Sequence, residues 1–247
     1  MLLRFEESGS DYHPHWYWYD SNTFHLLTAE EQGALRTLIE ANYQLQEPLW
    51  TEHGKKILTM MLEESDMLVC AEDLGVVPPC VPRTLEEMGI LGLKIERWTR
   101  DWEAPGQPWV AMEHYPRLSV CSPGTHDTSS LRGYWEETTW PRAQYASEIG
   151  LSSVPDYLTE EVAEKIIKRN LEANSLLVII PLQDWLALRY ERRAFSPEEE
   201  RINVPGSLDR SNWRWRMYQP IEEVARDEEL KKKIGSLIEE RTFRPLN

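Results

Sequence analysis

The sequence predicts an α/β fold, about four of the eight strands of a (β/α)8 barrel, with a helical lead-in before them and a C-terminal helix behind. Three observations predict it. Four short runs, at Met67–Ala71, Ile90–Ile95, Leu118–Cys121 and Leu176–Ile180, are almost uniformly apolar rather than alternating, the pattern of strands covered on both faces in a parallel sheet. Each run ends in polar residues, and the C-terminal strand ends are where such sheets place their sites. The run centres, near residues 69, 93, 120 and 178, stand about 24, 27 and 58 residues apart, whereas a complete barrel fits eight strands into roughly 250 residues.

The elements follow in order. Residues 11–27 are rich in aromatic and His side chains, without a period. Thr28-Ala29-Glu30-Glu31 is a capping box, in which threonine and glutamate satisfy each other's backbone amides at a helix start. Leu35, Leu38 and Ile39 mark one face of the helix it opens, and Trp50, Ile57, Leu58 and Met61 fit a second helix. After the first strand, Thr84–Met88 with Gly89 behind it reads as a short helix and a glycine stop. Val162, Ile166, Ile167 and Leu171 give a helix before the fourth strand. Ser196-Pro197-Glu198 reads as a cap with proline in the first turn, and Leu230, Ile234, Leu237 and Ile238 define the last helix. The domain reading is a lead-in over 1–65, the strands and their motifs over 66–216, and a helical segment over 217–247.

Composition narrows the function classes. The 247 residues carry 27 basic and 42 acidic side chains, a net charge of −15, which opposes binding to a phosphate backbone or an anionic membrane. No run approaches the roughly 18 apolar residues of a membrane span, and Met1–Glu7 lacks the pattern of a signal peptide. Three cysteines with no metal-ligand spacing read as free thiols in a reducing cytosol, so a cytoplasmic location is expected. Tryptophan (11) and tyrosine (10) far outnumber phenylalanine (4). Rings with a polar handle stack on sugars or line wet interfaces, although they also fill a large core.

Two pairs of residues can carry chemistry. Glu72-Asp73 follows the first strand, where partial desolvation can raise a carboxyl pKa as a general acid requires. The plainer reading is a turn cap beside a solvated carboxylate. His126-Asp127 follows the third strand and suits vicinal hydroxyls, or simply orders its own loop. Gln183-Asp184 and Asn203-Val204-Pro205-Gly206 add amide and carboxylate groups, and the latter is equally a turn former. His13-Pro14-His15 could grip a metal but suggests no third ligand, and Lys231-Lys232-Lys233 reads as a solvated helix face. No metal or cofactor is expected.

These residues resemble the 4-α-glucanotransferases, the amylomaltase or disproportionating-enzyme family. The resemblance runs in order through Cys70-Ala71-Glu72-Asp73-Leu74-Gly75, Gly92–Trp98, Thr125-His126-Asp127-Thr128, Pro181-Leu182-Gln183-Asp184, Asn203-Val204-Pro205-Gly206 and Asn212-Trp213-Arg214. Ser129-Ser130-Leu131-Arg132 resembles the maltose-using branch. The resemblance implies the C-terminal part of an elaborated (β/α)8 barrel and a retaining transfer of α-1,4-glucan units. By position Glu72 would be the acid/base and Asp127 the transition-state carboxylate. His126, Asp73, Gln183, Asp184 and Asn203 would contact substrate. Maltose, maltooligosaccharides and larger α-glucans would be the partners, together with the N-terminal barrel half. The family's nucleophile lies in an Arg-x-Asp-His motif, and residues 1–65 contain none; Asp11 and Asp20 have other neighbours. The chain is therefore expected to be inactive alone. The rival readings are a non-catalytic α-glucan-binding module and an assembly partner that docks through open sheet edges.

Overall fold

The computed structural model describes residues 2–4, 12–137 and 142–241; Asp11, like Met1 and Phe5–Glu7 of the N-terminus, lies outside them. The chain divides into two units. Met1–Met67 with Gly75–Met88 forms one, and Leu68–Leu74 with Gly89–Asn247 forms the other.

In the first unit, β1 (Leu2–Arg4) pairs antiparallel with β2 (Tyr12–Pro14). A single 3-10 turn leads into α1 (Asn22–His25), whose cap Ser21 accepts from the Phe24 amide. Then α2 runs unbroken over Ala29–Glu63, and both halves of the Thr28–Glu31 capping box form. The sequence suggested two helices here, and the structure corrects that to one. Proline inside a helix removes an amide and crowds the carbonyl four residues back. Here Pro48 and Gln44 both line an open groove of about 720 Å³, so water can serve the freed carbonyl. Of the predicted face, Ile39 is buried on Trp18 and Phe24 and Leu35 packs beside it, but Leu38 is 68% exposed. Trp50, Ile57 and Met61 are exposed as well. The short helix α3 (Cys80–Glu87) is amphipathic and ends before Gly89, which takes the left-handed φ of +68°.

The second unit carries a parallel sheet. Its central strands are β3 (Gly92–Ile95) and β4 (Ser119–Ser122), paired from Gly92↔Ser119 to Ile95↔Ser122. Beyond β4 lies β5 (Leu177–Val178), and on the far side of β3 a single parallel bridge joins Cys70 to Leu91. All four predicted runs therefore lie side by side in sequence order. Burial on both faces holds for β4, which is buried throughout, but not at the sheet edges. Met67, Leu68 and Ile179 are more than half exposed, because each edge run is paired on one side only among the described residues.

Helices cover the sheet. α4 (Leu131–Glu136) is capped by Ser130 and α5 spans Arg142–Glu148. The helix α6 (Glu160–Leu171), capped by Thr159, buries Val162, Ile166, Ile167 and Leu171 as predicted. Fully burying each such side chain is worth about 1.5–3 kcal/mol. Trp109, Trp135 and Tyr145 share that core. The helices α7 (Leu182–Leu186), α8 (Ile221–Val224) and α9 (Glu228–Glu239) follow. The predicted Ser196 cap does not form: Pro197 takes the N-cap position without a side-chain cap, and only a single 3-10 turn, Glu198–Glu200, follows. Lys231 and Lys232 are solvated, but Lys233 is not: its Nζ lies 2.6 Å from Glu160 and donates to the Leu188 carbonyl, tying α9 to α6. Among the described residues, no helix is long and apolar enough to cross a membrane, and no His, Cys, Asp and Glu group could hold a metal. All three cysteines are free.

Candidate active site

The parallel register fixes the site. Because the Cys70 run, β3, β4 and β5 point the same way, the segments leaving them emerge at one edge. Those segments carry Glu72-Asp73, Glu96-Arg97, His126-Asp127 and Gln183-Asp184.

Glu72, two residues past the Cys70 bridge, is exposed. Its neighbour Asp73 is turned inward, as alternation along an extended run requires. The Asp73 carboxylate accepts from the Leu93 amide at 2.5 Å and lies 3.0 Å from Lys94 Nζ, so it pins the Cys70 segment to β3. A side chain at Gly92 would place its Cβ 2.9 Å from that carboxylate, which explains glycine at the start of β3.

The β4 exit is a tight loop. Thr128 closes it by accepting from the Thr125 amide at 3.0 Å and donating back to the Thr125 carbonyl at 2.9 Å. The loop presents His126, exposed, and Asp127, half-buried, with Nε2 and Oδ1 3.5 Å apart. Asn203 completes the group. Its amide nitrogen donates to the His126 carbonyl at 3.1 Å, and its side chain donates to Asp127 Oδ1 at 2.7 Å. The Trp213 ring lies 4.9 Å from the His126 ring. His126, Asp127 and Asn203 are thus brought together.

Gln183 and Asp184 sit below the surface. Gln183 donates to the Glu200 carbonyl at 3.2 Å, and Asp184 Oδ1 accepts from the Leu131 amide at 2.6 Å, where α4 begins. Both line a cavity of about 120 Å³ under the loop, with Ser122, Thr128 and Ser130. Asp184 Oδ2 is buried without a hydrogen-bond partner. Burial pushes the Asp184 carboxyl up to about 6 against the lowering influence of the Leu131 amide and of Arg97. A carboxyl raised in the folded state favours folding below its ordinary pKa of 3.8, and that advantage is lost as pH rises through 6. Asp184→Asn is therefore expected to gain stability on the wild type by about 2 kcal/mol between pH 4 and pH 7. Urea unfolding at the two pH values checks this, and a difference that stays constant would reject it.

Sequence reasoning missed Arg97. It is buried just past β3, where its Nε donates to the Pro123 carbonyl at 3.0 Å and Nη1 to Ser129 Oγ at 3.3 Å. Its guanidinium lies 4.1 Å over the Tyr134 ring, and a Cβ on Gly124 would come within 2.9 Å of Nη2. Burial pulls the guanidinium below its ordinary range, opposed chiefly by the Asp184 charge. Arg97 thus holds both ends of the His126-Asp127 loop. Its neighbour Glu96 is also buried, bonded by Arg169 at 3.0 Å and Asn170 at 2.6 Å of α6, and burial raises its carboxyl. The available signal was two charges following directly on an apolar strand, which is costly unless they are paired.

Comparison with known proteins places the chain in a family. The profile of the glycoside hydrolase 77 family, described as 4-alpha-glucanotransferase, matches residues 21–221. The 4-alpha-glucanotransferase DPE2 of Oryza sativa subsp. japonica is 34% identical over 241 residues, 96% of this chain and 25% of that protein. The 4-alpha-glucanotransferase of Chlamydia muridarum is 33% identical over 196 residues, 79% of this chain and 37% of that one. Among solved structures, the amylomaltase from Streptococcus agalactiae in complex with acarbose overlays 70% of this chain and 31% of its own, with a TM-score of 0.53 at 22% identity. The chain thus spans about a quarter to somewhat over a third of the length of these relatives. With the family profile covering most of its residues, the chain belongs to the 4-alpha-glucanotransferases of glycoside hydrolase family 77.

Proposed function

We propose that this chain supplies part of the active site for retaining transfer of α-1,4-glucan units from maltose or a maltooligosaccharide to a second sugar. The observation that carries the reading is the His126–Asp127–Asn203 group at the C-terminal edge of a parallel sheet, in a chain of this family. Glu72 protonates the leaving glycosidic oxygen and then deprotonates the incoming hydroxyl, since retaining chemistry uses one group in both roles. Being exposed at the same edge, it can exchange protons. Asp127 is oriented by Asn203 and faces the sugar as its anomeric carbon gains positive charge, where fixed negative charge is most stabilising. His126 donates to a hydroxyl of the same sugar. Asp73, Gln183 and Asp184 act beneath these groups through the bonds described above.

The architecture we infer is part of a (β/α)8 barrel. The Cys70 run and β5 are the edges at which the remaining strands join, and the nucleophile belongs to those strands. Retaining enzymes set nucleophile and acid about 5–5.5 Å apart. No Arg-x-Asp-His motif occurs in residues 1–65. Purified chain is therefore expected to form no product from maltotriose. A chimera in which it replaces the segment it matches in the Oryza relative should yield glucose and longer oligomers, separated by chromatography. Products from the chain alone would place a nucleophile within it; a folded but inactive chimera would reject the catalytic reading.

A further inference from the structure

The turn from Ile202 to Trp213 holds a bulky residue in a conformation that L side chains avoid. Trp213 has φ +61°, in the left-handed region where Cβ crowds the following carbonyl. Four hydrogen bonds enforce it. The Trp213 amide donates to the Ile202 carbonyl at 2.8 Å, the Val204 amide donates to Asn212 Oδ1 at 3.1 Å, and Asn212 Nδ2 reaches the Ser207 carbonyl and hydroxyl at 3.2 and 3.1 Å. A strained residue held this way marks a function that its surroundings are built to maintain.

The indole is not there to fill the core, for Trp213 is 64% exposed. The ring is tilted at 45° to the His126 ring, 4.9 Å away, and the same turn carries Asn203, which holds Asp127. An open aromatic face beside a carboxylate–amide pair matches one ligand chemistry. A pyranose offers a C–H face to the ring while its rim hydroxyls reach a carboxylate and an amide. Anionic ligands are disfavoured by Asp127 and by the net charge of −15.

We propose that Trp213 is a stacking platform for a glucose ring of the bound glucan, presented beside Asp127 by the strained turn that carries it. This rests on the glucan reading above and adds the specific contact.

The test is calorimetric titration of the full 247-residue chain with maltoheptaose, alongside thermal unfolding. Trp213→Gly removes the ring and relieves the positive φ, so Tm should stay within about 2–4 °C of wild type while binding weakens roughly ten-fold or more. Trp213→Phe keeps an aromatic face and should bind within about three-fold of wild type. Undiminished binding by Trp213→Gly, with the wild type binding normally, would overturn the platform and leave the glucan reading standing. A larger fall in Tm would make the ring a structural element and overturn the platform too. No maltoheptaose binding by folded wild-type chain would overturn both readings.

Discussion

Glu72→Gln in the chimera is expected to lower transfer from maltotriose by about 10²–10⁴-fold, the usual contribution of a general acid/base group. The amide keeps the shape of the carboxyl but can neither give nor recover a proton. Glu72 makes no structural bond of the kind that occupies Asp73, so the loss should fall on kcat, with maltoheptaose affinity little changed. Asp73→Asn should behave otherwise, because both Asp73 oxygens serve β3: the Leu93 amide and Lys94 lose a charged acceptor and thermal stability drops. Chromatographic initial rates together with calorimetric affinities separate the two. Wild-type turnover in Glu72→Gln would remove that residue from the acid/base role.

Arg97→Ala is expected to cost about 3–5 kcal/mol of folding stability. The substitution leaves the Pro123 carbonyl without its donor, frees Ser129 and vacates the space over Tyr134 and against Gly124. It also removes the main positive charge opposing the burial of Asp184 that the pKa of that group senses. Arg97→Lys retains charge but lacks the planar fork that reaches two acceptors at once, so it should recover only part of the loss. Urea unfolding followed through the buried Trp109 and Trp135 reads both variants. A loss under about 1 kcal/mol for alanine would show that the loop stands without Arg97.

Much of this was legible because the signal was local. The capping box at Thr28 and the glycine stop at Gly89 are satisfied within a few residues, and both formed as read. The face of α6 was legible because Val162, Ile166, Ile167 and Leu171 enter one core on one side of the helix. The β3 and β4 runs were legible for the same reason. What was hidden depends on partners distant in sequence. Asn203 reaches Asp127 across 76 residues, and Asn170 reaches Glu96 across 74. Lys233 looked solvated because its partner, Glu160, lies 73 residues away along the chain. The single α2 was hidden by the weight normally given to proline, and the depth of Gln183 and Asp184 by a motif that specifies order along the chain but not height above the sheet.

The interleaving of the two units has a consequence for synthesis. Leu68–Leu74 belongs to the sheet-bearing unit, yet the chain returns to the first unit for Gly75–Met88 before it resumes the second at Gly89. No single cut separates the units, so a nested gene fragment, a proteolytic nick or a recombination breakpoint within this span breaks both. During translation the Cys70 run leaves the ribosome more than a hundred residues before Val178 can close the far side of the sheet. At roughly 5–20 residues per second, that interval lasts on the order of 5–20 s. Throughout it, the sheet lacks β5, the strand that pairs with Val120 and Cys121 of β4. The nascent chain is therefore most vulnerable to chaperone capture or misassociation in the window before β5 emerges.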